Sequence, residues 1–341
     1  MKEVQRKIRA LLEAAGIASR IRAHDRVAVK LHFGELKNDT SIPPEYIRPV
    51  VEAVRACSGQ PFLTDTCVLY KSVRDNAISH LRFAADRGFT LGKTGAPVII
   101  ADGLKGSDEI TVPIQGRIFK EVSVAAAARD ADSLIVLSHV TGHLATGLGG
   151  AIKNLGMGFA SRKGKLRQHA VLKPEVVRES CTGCGACLEH CPADAIALNG
   201  GRASIDPETC IGCGECVTVC RFDAITHDWN RDSVELQQRM AEHALGVVTG
   251  RQDRAVYLNF ILSVTKDCDC MPFRQKPILP DIGILAGTDP VALDAASLDL
   301  IVKKSGKELA ELSYPGLDGR PQIKHGAEIG LGSMEYELIE I

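Results

Sequence analysis

Arg26-Val-Ala-Val-Lys-Leu-His-Phe33 is an apolar, partly β-branched run that ends at Gly34, and it predicts a strand. Pro43 and Pro44 then open a helix reaching about Cys57. Pro61 to Asp65 predicts a second strand, and a helical pattern from about Arg74 to Arg87 is stopped by Gly88. Pro97 to Ala101 and Ser133 to Leu137 continue the series as strands. Strands alternating with helices imply an α/β fold, with a parallel or mixed sheet covered by helices on both faces.

The pattern extends both ways. Val4, Ile8, Leu11, Leu12 and Ala15 recur at helical spacing and give an amphipathic first helix. Downstream, Ser233 to Leu245 reads as a helix, while Ala255 to Val264 and Asp281 to Leu285 read as strands. Asp289 should cap a helix that starts at Pro290 and runs to about Val302, and Glu335 to Ile341 reads as a final strand. Between about Leu172 and Asn230 the composition becomes cysteine-rich, and Asn199-Gly200-Gly201 suits a hairpin turn. The expected organisation is a discontinuous α/β domain, residues 1–171 and 231–341, interrupted by an α+β module over 172–230.

Across 341 residues, 45% hydrophobic and 24% charged content can bury a full core. Lys plus Arg (41) balance Asp plus Glu (42), leaving no broad basic field for nucleic acid or anionic lipid. The N-terminal Met-Lys-Glu-Val-Gln lacks a secretory apolar core, and no apolar run approaches the roughly 20 residues of a membrane span. A cytoplasmic protein is expected, with the clustering among its 12 cysteines favouring metal ligation over disulfides.

Eight of those cysteines follow one spacing twice: Cys181, Cys184, Cys187 and Cys191 shifted by 29 residues become Cys210, Cys213, Cys216 and Cys220. Three thiolates at two-residue gaps can wrap one compact inorganic core, and in two-cluster ferredoxins the fourth cysteine of each run serves the other cluster. The assignment is therefore two [4Fe-4S] clusters, one on Cys181, Cys184, Cys187 and Cys220, the other on Cys210, Cys213, Cys216 and Cys191. Pro192 follows Cys191 as that pattern expects, whereas Arg221 replaces the second proline. A pair of zinc sites is the competing reading, but zinc ribbons do not interleave a third and fourth cysteine at this spacing.

Other candidates lie in the α/β part. His32 leaves the first strand beside Lys30 and Glu35, at the end where such sheets gather ligands, and Asp65 ends the second strand. The glycine-rich run from Gly142 to Gly158 matches no nucleotide fingerprint. Its open backbone around Gly149 and Gly150, with Lys153 and Asn154, suits a small anion. His139 and His143 are candidates for proton transfer or metal ligation. Cys268 and Cys270, flanked by Asp267 and Asp269, are either an additional metal or redox site or an inert thiol pair. Cys57 and Cys67 read as core thiols.

Val29-Lys30-Leu31-His32-Phe33-Gly34-Glu35, Thr64-Asp65-Thr66, Ser138-His139 through Gly158, Cys268-Asp269-Cys270, and Asp281-Ile282-Gly283 with Asp289 through Asp294 together resemble the iron–sulfur proteins of the domain of unknown function 362 family. In these a ferredoxin module is inserted or appended, and the resemblance covers nearly the whole chain but implies no activity. A fainter likeness, to the N-terminal domain of lactate racemase and related nickel-pincer proteins, concerns a histidine preceding a glycine pair and a lysine.

The resulting expectation is a redox enzyme or redox partner that passes electrons from the two clusters to a pocket holding a small anionic substrate or a metal centre. The alternative is a ferredoxin-like carrier whose α/β domain only docks partner proteins. A redox partner protein is implied in either case, and assembly into a homo-oligomer is left open.

Overall fold

A computed structural model of the chain describes residues 2–70, 72–169, 174–191, 193–210, 216, 220–222, 224–226 and 229–341. Its centre is a sheet of six strands: β1 (Arg26–Lys30), β2 (Gln60–Asp65), β3 (Val98–Ile100), β6 (Ser133–His139), β11 (Ala255–Ile261) and β12 (Gly283–Gly287). The spatial order is β12-β11-β6-β1-β2-β3. The first five in chain order run parallel, and only edge strand β12 is antiparallel, to β11. Helices cover both faces, so the fold is α/β with a mixed sheet.

Side chains alternate across β1 because successive Cβ atoms point to opposite faces. Val27 and Val29 enter a core shared with Ile8 and Leu12 of the first helix and Val50, Val51 and Val54 of the Ile47–Ala56 helix. Ala28 faces the opposite core, built with Ile152 and Leu155 of the Ala151–Gly156 helix, Ala241 and Ala244 of the Trp229–Val248 helix, and Leu298 and Ile301 of the Pro290–Ser305 helix. Helix ends follow local chemistry. Asn76 caps the Ala77–Asp86 helix, accepting from the amides of Ile78 and Ser79 at 3.1 Å. Asp289 caps the Pro290–Ser305 helix through Val291 and Ala292, and each such cap stabilises by about 1 kcal/mol.

After β1 the sheet grows through β2 and β3 to one side, while β6 and β11 fill the other. The winding therefore reverses between β1 and β6. In open α/β sheets the crevice outside the carboxyl ends of the strands at such a point is where ligands bind. Lys30, Asp65 and His139 are the last residues of β1, β2 and β6.

Two regions differ from the sequence reading. Glu335 to Ile341 forms no strand: the sheet edges are β12 and β3, and neither pairs with it. Leu338, Ile339 and Ile341 stay exposed, and the Tyr336 hydroxyl donates to Asp299 at 2.8 Å. A hairpin of β4 (Glu109–Pro113) and β5 (Glu121–Ala125) was not anticipated, although Val122 and Val124 alternate and are buried.

The described part of the cysteine-rich stretch adds no strand to the main sheet. β7 (Glu175–Val176) pairs antiparallel with β10 (Ile225–Thr226), and β8 (Ile196–Asn199) with β9 (Arg202–Ile205). The β8–β9 turn is Gly200-Gly201, both at positive φ (60° and 73°), as the hairpin signal requires. Cys187, Ile196, Ala203, Cys216 and Ile225 form a small core separate from those on the main sheet.

Candidate functional site

At the carboxyl ends of β1, β2 and β6 lies a cavity of about 550 Å³. Lys30, His32, Asp65, His139, His143, Gly149, Gly150, Lys153, Asn154, Cys268 and Cys270 all line it. Strand ends supply the first part of the wall. The glycine-rich run supplies the next: its Thr141 and Gly149 exchange backbone hydrogen bonds at 3.1 and 2.9 Å, folding the run back on itself. Its second half is the Ala151–Gly156 helix, which carries Lys153 and Asn154, where a loop was expected.

The floor is a buried charge network. Lys30 Nζ contacts Asp65 Oδ1 at 2.9 Å and donates to Asn154 Oδ1 at 2.8 Å. Burial lowers the Lys30 pKa against the pull of Asp65. Burial would raise the Asp65 carboxyl, but the cations Lys30 and Arg74 outweigh it and hold the carboxyl well below the ordinary range. Arg74 pairs with Glu35 at 3.0 Å and donates to the Tyr70 hydroxyl at 2.8 Å. Lys30 and Asp65 thus neutralise each other and shape the cavity floor.

The three histidines differ by their hydrogen bonds. His32 Nδ1 accepts from the Gly34 amide at 3.0 Å, and His143 Nδ1 accepts from the amides of Ala145 and Thr146 at 3.1 and 3.2 Å. An amide N–H cannot point at a protonated nitrogen, so in both rings the hydrogen sits on Nε2. Burial pushes both rings well below the ordinary imidazole pKa, reinforced by Arg74 at His32 and by Lys153 at His143. Both are neutral hydrogen-bond donors, and Nε2 of neither has the lone pair that metal ligation needs.

His139 is the opposite case. Its Nδ1 lies 3.0 Å from each Asp269 oxygen and its Nε2 lies 2.8 Å from the Leu262 carbonyl, so both nitrogens donate. Burial opposes the imidazolium, yet Asp269 outweighs it and raises the pKa. With both nitrogens engaged, His139 anchors Asp269 rather than carrying protons or binding metal.

Lys153 has no hydrogen-bond or ion-pair partner among the described residues, and burial lowers its pKa to about 8 against the opposing pull of Asp269. It is a cation facing the cavity with capacity unused. The glycine-rich backbone, in contrast, is partly spent within the protein. The Asp294 carboxylate already accepts from the amides of Ala151 and Ile152 at 2.7 and 2.9 Å, and the Gly149 amide is spent on Thr141. A Cβ on Gly150 would lie 2.4 Å from Asp294 Oδ1, so glycine there makes room for this internal cap. An anion would meet side chains: Lys153 and the Nε2–H groups of His32 and His143.

Cys268 and Cys270 are joined by a disulfide at the cavity wall, with Asp269 between them. Sequence reasoning did not single out Arg74, Tyr70 or Lys165 as cavity residues. Lys165, whose Nζ donates to Thr66 and to the Ala160 carbonyl at 2.6 Å, sits on the Arg162–His169 helix, whose charge-rich sequence reads as solvated. Nothing local marks Arg74.

A second, small cavity is lined by Cys181, Cys184, Cys187 and Cys220. Backbone amides reach the sulfurs: Ala203 to Cys181 at 3.4 Å, Ala195 to Cys191 at 3.2 Å and Ala224 to Cys220 at 3.3 Å. The amides of Ala203 and Gly183 lower the Cys181 pKa, while burial raises that of Cys187. Among the described residues no three His, Cys, Asp or Glu side chains converge closely enough to hold one metal ion. Pro192 and Cys213 lie outside the described residues. No helix among the described residues is long and apolar enough to cross a membrane.

No curated protein matches the chain. Among solved structures, the lactate racemase apoprotein of Thermoanaerobacterium thermosaccharolyticum is similar over 84% of this chain and 55% of its own, at 11% identity and a TM-score of 0.40. A protein of Thermotoga maritima is similar over 76% of this chain and 50% of its own, at 9% identity and a TM-score of 0.35. The chain thus spans about half the length of each. A family model described as domain of unknown function (DUF362) matches residues 27–299, which include the sheet, the cavity and the cysteine repeat, and the chain belongs to that family.

Proposed function

We propose that the protein is an iron–sulfur redox enzyme in which two [4Fe-4S] clusters, carried by an inserted module over residues 172–230, serve a small anionic substrate in the α/β cavity. The observation that carries the reading is the composition of the small cavity: Cys181, Cys184 and Cys187 meet Cys220, the cysteine that the crossed two-cluster pattern requires as fourth ligand. The second set is Cys210, Cys213, Cys216 and Cys191. Bound clusters would supply electrons one at a time.

The chain's own residues do the rest. Lys153 holds the anionic end of the substrate, and His32 and His143 donate from Nε2 to oxygens that gain charge during reduction. Lys30, Asp65, Arg74 and Glu35 fix the floor on which these groups sit. A substrate is favoured over a metal centre in this cavity because the hydrogen bonds of all three histidines leave no ring nitrogen for ligation. The charged, concave site also favours an enzyme over a carrier that merely docks partners.

Anaerobic purification followed by iron and sulfide analysis tests the reading. The expected result is about eight of each per chain, with a reducible absorption band near 400 nm; a colourless protein containing zinc or no metal would overturn it.

A further inference from the structure

We infer that Cys268 and Cys270 form a reversible thiol–disulfide couple, a two-electron redox centre in the wall of the cavity. On opening, the S–S bond breaks, two electrons and two protons enter, and two thiols form. A dithiol reductant supplies both electrons and both protons and leaves as its disulfide; closing with a disulfide oxidant is the same exchange reversed. On the cluster reading above, two one-electron centres supply the two electrons and water supplies the protons. That source rests on the proposed function, whereas the couple does not.

Four observations support the assignment. The bond encloses a single residue, Asp269, and the stabilisation from a cross-link grows with the loop it closes, so its contribution as a staple is small. The segment has other anchors: Asp269 holds His139 at 3.0 Å, Gln275 accepts from the Asp267 amide at 2.9 Å and donates to its carbonyl at 3.1 Å, and the Thr265 hydroxyl donates to the same carbonyl at 2.7 Å. Opening the bond would leave this frame standing. Cys270 is half-buried and both cysteines face the cavity, which gives a small thiol access. Lys153 lines the same cavity as both cysteines, placing a cation in the space onto which a thiolate would open.

The test equilibrates the anaerobic full-length protein across mixtures of reduced and oxidised dithiothreitol, alkylates with iodoacetamide, and reads the peptide spanning residues 268–270 by mass spectrometry. The expected result is one transition in which both cysteines gain a label together, from no labels to two. Two labels at every ratio, or none at the most reducing one, would overturn the couple. The variant Cys270→Ser should leave Cys268 labelled throughout. Iron content separates the two claims. A pair that titrates in iron-free protein keeps the couple and sinks the cluster reading; permanent thiols in iron-replete protein do the reverse.

Discussion

Both carboxylate oxygens of Asp269 lie 3.0 Å from Nδ1 of His139, and this one contact ties the cysteine-bearing segment to the end of the central strand β6. Asp269 is also held well below the ordinary carboxylate range, at about 2, because His139 outweighs the effect of burial. Its contribution to stability is therefore present above the ordinary carboxylate pKa and lost as pH falls toward about 2. The raised pKa of His139 works the other way: its contribution is complete below the ordinary imidazole range and is lost as pH rises through the raised value.

Asp269→Asn should accordingly cost about 3–5 kcal/mol near neutrality, since it leaves a buried imidazolium unpaired. Urea unfolding at several pH values checks this. The gap between variant and wild type should be widest from weakly acid to neutral pH, and an equal gap at all pH values would contradict the pairing.

Lys153 is the cavity cation with no partner among the described residues, lowered by burial to about 8. Acetate or inorganic phosphate, titrated calorimetrically, should bind with an affinity that falls as pH rises past about 8, when the amine loses its proton. Lys153→Met should weaken binding by roughly tenfold or more, the equivalent of a lost charge-assisted hydrogen bond, and abolish the pH dependence.

Gly150→Ala should destabilise the protein by about 1–3 kcal/mol, because the new methyl must displace a carboxylate that caps a helix. Thermal unfolding provides the measure. The companion Asp294→Ala removes the obstruction along with the cap, so the two substitutions should be less than additive.

Cys220→Ala should lower iron and sulfide to about half, since it strips one ligand from one cluster on the proposed assignment. Loss of all iron would mean that the two sites fold together; no loss would remove Cys220 from the ligand set.

The main strands were legible because short apolar, β-branched runs bounded by Gly, Pro or Asp describe buried parallel strands. Of the cavity, Asp65 was legible as a strand end, whereas the ends of β1 at Lys30 and of β6 at His139 emerge only in the fold. What the sequence concealed was how the polar groups are satisfied. The amides of the glycine-rich run look available when read alone, but Asp294, more than 140 positions away, occupies two of them. His32 and His139 look alike as letters; an amide on one and a carboxylate on the other make the first a neutral donor and the second a cation. Arg74 has no local signal because its role comes from Glu35 and Tyr70 meeting it in space. The chain's final residues show the converse, an alternating pattern with no sheet edge to receive it.

The Trp229–Val248 helix, which follows the cysteine-rich stretch, runs so close to the Ala151–Gly156 helix that a Cβ on Gly156 would stand 2.2 Å from the Met240 carbonyl oxygen. Backbone against backbone leaves no compressible side chain between them. The two helices therefore meet with no side chain between them, and any residue larger than glycine at position 156 would push the turn that bears Lys153 off the Trp229–Val248 helix.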